Sequence, residues 1–401
     1  MAAYALEWLS LLGRWFHVIT GVAWIGASFY FVWLDAHLQV PRDRGEAQRL
    51  GIAGEVWAVH GGGFYRAQKF AAAPPELPEP LHWFKWEAYS TWLSGLFMLV
   101  LLYWFGARVY LIDPAVAALT PGAAVAIAAA FLAGGWLVYD RLCRSPLGAR
   151  EPLLAGVLFA LCALAAWGLC RLFSGRGAFM HFGAMLGTIM AANVFFVIIP
   201  GQKDLVRARR EGREPDPIHA IRGRQRSVHN TYFTLPVLFT MIGHHAATLT
   251  QHRWNWLALV GVSLAGALIR LFVVLRHRGQ AKPALAIAGT AALAGVFVLA
   301  MPQRAPAPGA AAGDADFGRV RQVIDRRCVA CHARVPRFEG LASAPRDVVL
   351  DSDEAIVRHA QAIHQQTVAT RAMPIGNLTG ITEPERSLID AWFRAGAPGG
   401  R

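Results

Sequence analysis

Long apolar runs alternate with short basic segments over the first three quarters of the chain. A membrane-spanning helix needs about 20 mostly apolar residues, because the hydrocarbon core is about 30 Å thick and each residue adds 1.5 Å. Runs of this length predict eight spans, at residues 6–34, 87–112, 121–139, 153–173, 181–199, 232–250, 254–276 and 283–301. We therefore predict an all-α fold in which residues 1–301 form a polytopic membrane helix bundle.

The pattern changes after the last apolar run. Residues 302–316 are rich in Pro, Ala and Gly, a composition typical of a flexible linker. Residues 317–401 alternate helical stretches with Gly and Pro breaks. They predict a small soluble all-α domain behind the membrane domain.

The composition supports a membrane protein. Hydrophobic residues make up 55% of the chain and charged residues 16%, whereas soluble proteins average about 25% charged residues. This excludes a disordered chain and an ordinary soluble enzyme. The net charge of +13 does not indicate nucleic-acid binding, because the basic residues lie in short segments between apolar runs.

The placement of Lys and Arg predicts the orientation in the bilayer. They are concentrated in alternate connections, at residues 35–86, 140–152, 200–231 and 276–282. Cytoplasmic loops carry such an excess. Eight spans then leave both termini and the C-terminal domain on the periplasmic side of a bacterial inner membrane.

A C-x-x-C-H motif opens the C-terminal domain at Cys328, Cys331 and His332. Two thiols at this spacing reach both vinyl groups of one haem, and the adjacent histidine becomes an axial ligand of the iron. A zinc site would need a second Cys pair, which does not follow. The motif predicts one covalent haem c, and thioether attachment outside the cytoplasm agrees with the predicted orientation.

Met373 is the predicted sixth ligand of this haem. It is the only methionine after the motif, and Pro374 and Gly376 shape its loop. A thioether ligand raises the haem potential, which suits an electron acceptor. His359 and His364 are the competing candidates.

Four histidines fall within or beside the predicted spans: His17, His181, His244 and His245. Ionisable residues inside a membrane are costly and are candidates for function. Their predicted depth favours His17 and His245 as the ligands of a non-covalent haem b. The alternative, which the sequence leaves open, is that these are polar residues satisfied by hydrogen bonds between helices.

Histidines and lysines stand among aromatic residues in the predicted cytoplasmic segments. They are His60, which precedes three consecutive glycines ending at Gly63, together with Lys69, His82, Lys85 and His229. Aromatic faces with polar groups between them suit a planar, anionic heterocycle. The alternative is an interfacial aromatic belt beside a solvated basic loop.

Several stretches resemble the bacterial membrane-bound urate hydroxylases, in which a urate oxidase membrane domain of eight spans precedes a cytochrome c domain. The stretches are WIGASFYF (24–31), HGGGFY (60–65), HWFKWE (82–87), GTIMAANVFFVIIP (187–200) and HNTYFTLP (229–236). The resemblance covers nearly the whole chain. It implies oxidation of urate to 5-hydroxyisourate, with electrons passing to the cytochrome c domain instead of forming hydrogen peroxide.

The chemistry of urate suggests roles for the candidate residues. His60, His82 or His229 is expected to accept a proton, since imidazole titrates near neutral pH. Lys69, Lys85 or Arg66 is expected to bind the anion. A cytoplasmic site would need an intermediate redox centre to reach an external haem. A site on the outer side would instead involve other residues: Arg14, His17, Arg108, His181 and His245.

The downstream partner is expected to be a respiratory-chain acceptor, either a soluble cytochrome c or a terminal oxidase. Two other classes of protein fit some of these features. One is an electron-transfer subunit that oxidises quinol or relays electrons without urate chemistry. The other is a transporter with a redox-sensing tail.

Overall fold

The structure is a computed structural model that describes residues 2–71, 73–301, 316–338, 341 and 343–399. Most of the chain is helical. The predicted linker 302–316 lies outside the described residues except for Asp316. We call residues 1–301 the bundle and residues 316–399 the tail.

Eleven helices lie in the described part of the bundle. They are α1 (Ala2–Ala36), α2 (Arg44–Leu50), α3 (Trp86–Leu99), α4 (Pro121–Arg144), α5 (Glu151–Leu172), α6 (Gly175–Asn193), α7 (Ile199–Arg210), α8 (Pro217–Gly243), α9 (Ala247–Thr250), α10 (Asn255–His277) and α11 (Pro283–Leu299). Two π-helical segments, Val100–Trp104 and Ala107–Leu111, follow α3, and a third, Val194–Ile198, joins α6 to α7.

Each of the eight predicted apolar runs coincides with a helix of the bundle. Within the described residues, five helices are long and apolar enough to cross a membrane: Tyr4–Ala36, Pro121–Arg144, Glu151–Leu172, Gly175–Arg210 and Asn255–His277. The chain is therefore a membrane protein. The second run is divided by π-helical turns, the first half of α8 is polar, and α11 has 17 residues. The count of eight crossings stays a prediction.

The outer surface of the bundle is apolar. Trp15 and Val22 on α1 are each 65% exposed, and Ile287 and Phe297 on α11 are each 68% exposed. Soluble proteins seldom leave apolar patches of this extent in water. This surface is what a helix presents to lipid. The centre is α6, which packs against α4, α5 and α8.

A β-hairpin lies between α2 and α3. Strands β1 (Ile52–His60) and β2 (Gly63–Phe70) pair antiparallel around a two-residue turn, in which Gly61 and Gly62 both have positive φ. Such a turn favours glycine at both positions and matches the twist of the strands. The all-α prediction omitted this hairpin, although β-branched and aromatic residues flank the glycines.

The described tail has five α-helices: α12 (Phe317–Arg327), α13 (Val329–His332), α14 (Asp353–Arg358), α15 (Ala360–His364) and α16 (Glu383–Arg394). Ile324, Ile356, Ile389 and Trp392 are fully buried and form its own hydrophobic core. Thr382 begins α16 with a capping box, in which its side chain and that of Glu385 bond each other's backbone N–H groups.

The tail contacts the bundle through the loop that follows Met373. Gly376 is buried, and a Cβ atom there would lie 3.1 Å from the carbonyl oxygen of Ile112 and 3.3 Å from that of Val109. Burial raises the pKa of the Asp113 carboxyl beside this contact, while the positive charge of Arg386 in the tail acts in the opposite direction. The tail thus meets the bundle where the second apolar run ends.

Candidate functional site: a cavity along the bundle

A cavity with a volume of about 1610 Å³ runs lengthwise through the bundle. Small-molecule pockets usually measure about 300–1,000 Å³, so this one has room for more than one occupant. Its lining follows α1 from Arg14 to Asp35, which is about 30 Å of helix. We call the end near Arg14 the tail end and the end near Asp35 the hairpin end.

The hairpin end is basic and aromatic. Lys69 from β2, His82 before α3 and Arg278 after α10 line it. Lys69 Nζ donates to Asp35 Oδ1 at 2.8 Å, and both side chains are more than half exposed. Water screens an exposed pair of this kind, so an anion in the cavity can compete for the lysine. Lys85, by contrast, lies against Trp86, with Nζ 5.8 Å from the ring.

Aromatic and neutral polar groups line the middle of the cavity. Trp92 Nε1 donates to Thr188 Oγ1 at 3.2 Å, and Asn230 Nδ2 donates to the carbonyl oxygen of Met190 at 3.0 Å. Glu87 also lines the cavity, and its Oε2 has no hydrogen-bond partner among the described residues. Glu87 was not among the predicted site residues, although it is the one acidic residue of the run 87–112.

His17 and His245 line the tail end, from α1 and from the residues after α8. His17 Nδ1 lies 3.1 Å from the Thr91 carbonyl oxygen and 3.0 Å from Ser94 Oγ. This arrangement leaves Nε2 for another partner. A Cβ at Gly95 would lie 2.9 Å from His17 Cε1, so glycine there leaves space for the imidazole.

Of the other two histidines of this region, His181 has both ring nitrogens bonded within the protein, whereas His244 lines the cavity beside His245. His181 is fully buried, its Nδ1 lies 2.8 Å from the Gly177 carbonyl oxygen, and its Nε2 accepts from Trp104 Nε1 at 3.3 Å. His244 Nδ1 lies 3.1 Å from the Thr240 carbonyl oxygen, and its ring lies against that of His245. For His181 the hydrogen-bonded interpretation is therefore the one that fits.

His60 and Arg66 lie in the hairpin. His60 is exposed beside the Gly61–Gly62 turn at the tip. Arg66 Nε donates to Glu55 Oε2 at 2.7 Å, and its Nη2 donates to Glu46. The backbone N–H of Arg42 and the guanidinium of Arg66 hold the pKa of the Glu55 carboxyl below its usual range. Arg66 therefore stabilises the hairpin, and its charge is already paired.

His229 lies behind the cavity wall, next to Asn230. Its Nδ1 lies 2.8 Å from the Tyr139 hydroxyl, and its Nε2 lies 3.4 Å from Glu151 Oε2. Arg108, which we considered for an outer site, belongs to the π-helical turn Ala107–Leu111 near the tail contact. Of the predicted catalytic residues, the structure brings His82 and Lys69 to the cavity, and it places His60, Lys85 and His229 elsewhere.

The C-x-x-C-H motif lies at the junction of α12 and α13. Cys328 and Cys331 are free thiols. Burial raises the pKa of Cys328 to about 12 and also raises that of Cys331, so both thiols are protonated near neutral pH. His332 Nδ1 lies 2.9 Å from the Val348 carbonyl oxygen. A hydrogen bond of this kind orients an imidazole and leaves Nε2 for a metal.

The loop around Met373 is anchored on both sides. Its N–H donates to the Gln366 carbonyl oxygen at 2.9 Å, and its own carbonyl oxygen accepts from Arg386 Nη1 at 3.2 Å. The competitor His364 lies 2.8 Å from Asp390 Oδ1 and stacks on Phe393. His359 lies between α14 and α15. The described residues hold no cluster of three or more His, Cys, Asp or Glu side chains for a metal ion.

Fold and site together define a class of protein: a helical membrane protein with a cavity through its bundle that is lined by apolar, aromatic and scattered polar side chains. A family model described as urate oxidase N-terminal matches residues 3–301. Because the match covers most of the chain, the protein belongs to the urate oxidase N-terminal family, and its function is urate-related. None of the curated proteins and none of the solved structures compared with the chain matches it. The match confirms the predicted relation to urate oxidases and ends before the tail.

Proposed function

We propose that the protein is a membrane-bound urate hydroxylase, which oxidises urate to 5-hydroxyisourate in the cavity and passes the electrons to haem in the tail. The cavity is the observation that carries this proposal. It joins a basic, aromatic end to a histidine-lined end in a chain of the urate oxidase N-terminal family.

Urate is planar and carries one negative charge near neutral pH. The hairpin end offers Lys69 and Arg278 for the charge, and the rings of Trp24 and Trp83 for the faces. One N–H of the Asn230 amide donates to the Met190 carbonyl oxygen, and the second can donate to the edge of the heterocycle from the middle of the cavity. We therefore place the substrate in this half of the cavity, which the basic loops assign to the cytoplasm.

The reaction sets the requirements of the site. Urate monoanion and one water give 5-hydroxyisourate, one proton and two electrons. His82 and Glu87 are the first and last residues of the aromatic segment 82–87, and both are titratable groups of the cavity wall. Either can accept the proton from the attacking water, a role that typically contributes about 10²–10⁴-fold to a rate.

The residues of the tail end fit a haem b. The hydrogen bonds of His17 Nδ1 orient its ring and leave Nε2 free for a ligand, and His245 lines the same end. Arg14 and Arg176 also line it and would pair with the propionates. When bound, the group supplies one-electron redox chemistry between the substrate and the tail.

The residues of the tail fit a haem c. Cys328 and Cys331 would form the thioethers, and His332 and Met373 would be the axial ligands. The loop after Met373 touches the bundle at Val109 and Ile112, so the tail and the tail end of the cavity lie on the same side. A periplasmic soluble cytochrome c or a terminal oxidase would then accept the electrons.

Membranes that carry the full-length protein test this function. Adding urate should reduce the c-type haem, seen at its alpha band, and produce 5-hydroxyisourate without hydrogen peroxide. Xanthine, which lacks the 8-oxo group, serves as the control. Reduction by quinol but not by urate would reject the proposal in favour of an electron-transfer subunit.

A further inference from the structure

A chain of hydrogen-bonded side chains leads from the cavity wall to the surface of the protein. Asn230 lines the cavity, and its Oδ1 accepts from Asn193 Nδ2 at 2.8 Å. The same Nδ2 lies 3.1 Å from the Tyr139 hydroxyl. Tyr139 meets His229 Nδ1 at 2.8 Å, and His229 Nε2 lies 3.4 Å from Glu151, whose side chain is 56% exposed. Four helices contribute to this path.

The donors and acceptors of the path have one consistent direction. Asn193 donates to the Tyr139 oxygen, so the Tyr139 O–H is left to donate to His229 Nδ1. His229 then carries its hydrogen on Nε2 and donates it to the carboxylate of Glu151. A proton that arrives at Tyr139 can therefore leave through Glu151 by a shift along each bond.

Two features of this path favour a role in proton transfer over a purely structural role. Asn193 is fully buried, and its Oδ1 has no hydrogen-bond partner among the described residues, so an acceptor beside Tyr139 is left for a mobile proton donor. Arg226 is 1% exposed and holds its guanidinium 4.8 Å from the Tyr139 ring. Burial chiefly, and the charge of Arg226 to a smaller extent, lower the pKa of His229, which favours the transfer of a proton from His229 to Glu151.

Other groups around His229 do not offer a competing exit. Cys143 Sγ on α4 lies 3.9 Å from His229 Nδ1. Asp140 is held by Arg226 Nη2 at 2.8 Å and by Arg144 Nε at 2.7 Å. The carboxylate that faces His229 is thus Glu151, at the start of α5.

We propose that Tyr139, His229 and Glu151 form the proton exit of the enzyme. This inference rests on the proposed function, in which each urate oxidised releases one proton in the cavity. The proton passes from the substrate site through water to Tyr139, then to His229 and to Glu151, and reaches the hairpin side of the bundle. Electrons and protons thus leave the site in opposite directions. His229 and Glu151 do not line the cavity, so they are positioning and relay residues and not catalytic ones.

The test uses the full-length protein in vesicles of known orientation, with wild type compared with His229→Gln and Glu151→Gln. His219→Gln is the matched control, because His219 lies on the same helix and pairs with Asp204 at the surface. We expect kcat for urate-driven haem reduction to fall about tenfold or more in His229→Gln, with KM changed less than twofold and partial rescue by added imidazole. A pH-sensitive dye should detect the protons of the wild type on the Glu151 side.

Equal kcat in His229→Gln and wild type, or protons that appear on the tail side, would overturn the relay. Haem content and the melting temperature show whether a variant is folded. If His229→Gln fails to fold, the exposed Glu151→Gln decides, with a smaller fall in kcat supporting the relay and an unchanged kcat rejecting it. A wild type that does not respond to urate would instead defeat the proposed function, and the relay with it.

Discussion

The tail and the bundle build their candidate sites in opposite ways. In the tail, five consecutive residues from Cys328 to His332 hold the main chemical groups, and an ordinary hydrophobic core supports them. In the bundle, most of the lining residues come from α1, α3, α6 and α8, and others come from the hairpin, α4, α7, the π-helical segments and the end of α10. A local motif can be substituted without disturbing the core around it. A site assembled from many helices depends on many side chains, so a single substitution removes only part of it.

The two regions also differ in where their apolar surface lies. The tail buries Trp392 and Ile324 completely, as a soluble domain does. The bundle exposes apolar side chains on its outside and keeps polar groups around its internal cavity. Because lipid surrounds the bundle and most of the cavity wall is apolar, a charged residue that lines the cavity is a candidate for function.

The largest effect is expected from removing the motif of the tail. The double substitution Cys328→Ala with Cys331→Ala should abolish covalent haem attachment and urate-driven reduction of c-type haem, because both thioethers are lost. Mass spectrometry and haem staining measure the attachment, and membrane extraction checks that the bundle is still inserted. Cys162→Ala in α5 is the control. Full haem attachment in the double variant would mean that the tail does not build its site from this local motif.

A substitution at the tail end of the cavity should be nearly as severe. His17→Ala should remove the b-type band from reduced-minus-oxidised spectra and lower turnover about 100-fold or more, since His17 is the proposed axial ligand of a haem b. His181→Gln should keep the band, because both ring nitrogens of His181 already have partners in the protein. If His181→Gln alone removed the band, the assignment of the ligands would be wrong.

The contact between the two regions should give an intermediate effect. Gly376→Ala places a Cβ near the carbonyl oxygens of Ile112 and Val109 and should slow electron transfer to the tail about tenfold, as a misplacement of about 1 Å can cost up to about 100-fold. Gly396→Ala is a matched control, because Gly396 also has positive φ but no atom within 4 Å of the added Cβ. Stopped-flow absorbance of the c-type haem compares the two. Equal rates would mean that this contact does not carry the transfer.

The smallest effect concerns the hairpin end. Lys69→Met should raise KM for urate severalfold with little change in kcat, because an exposed charge contributes about 1 kcal/mol or less to binding. Lys85→Met and His60→Ala should leave KM within twofold, since Lys85 lies on Trp86 and His60 lies at the hairpin tip. A stronger effect of His60→Ala than of Lys69→Met would move the substrate site to the hairpin.

Several features of the fold and of the candidate site could be predicted from the amino-acid sequence. The positions of the apolar helices follow from the thickness of a bilayer, and the relation to urate oxidases follows from short stretches such as HWFKWE at 82–87. The hairpin was not predicted because the apolar and polar residues of 52–60 do not alternate strictly, which is the usual signal of a strand. The positive φ angles of the turn explain why glycine stands at positions 61 and 62.

The amino-acid sequence by itself determined the membrane character of the protein, the family of residues 3–301 and the C-x-x-C-H motif, because these depend on residue type and spacing along one segment. Only the tertiary structure decided that His181 is satisfied by Gly177 and Trp104, that Lys69 and not Lys85 lines the cavity, and that His229 connects Tyr139 to Glu151. The partners of a ring nitrogen or an ammonium group come from helices far apart in the chain. Their identity is set by packing, which local spacing does not encode.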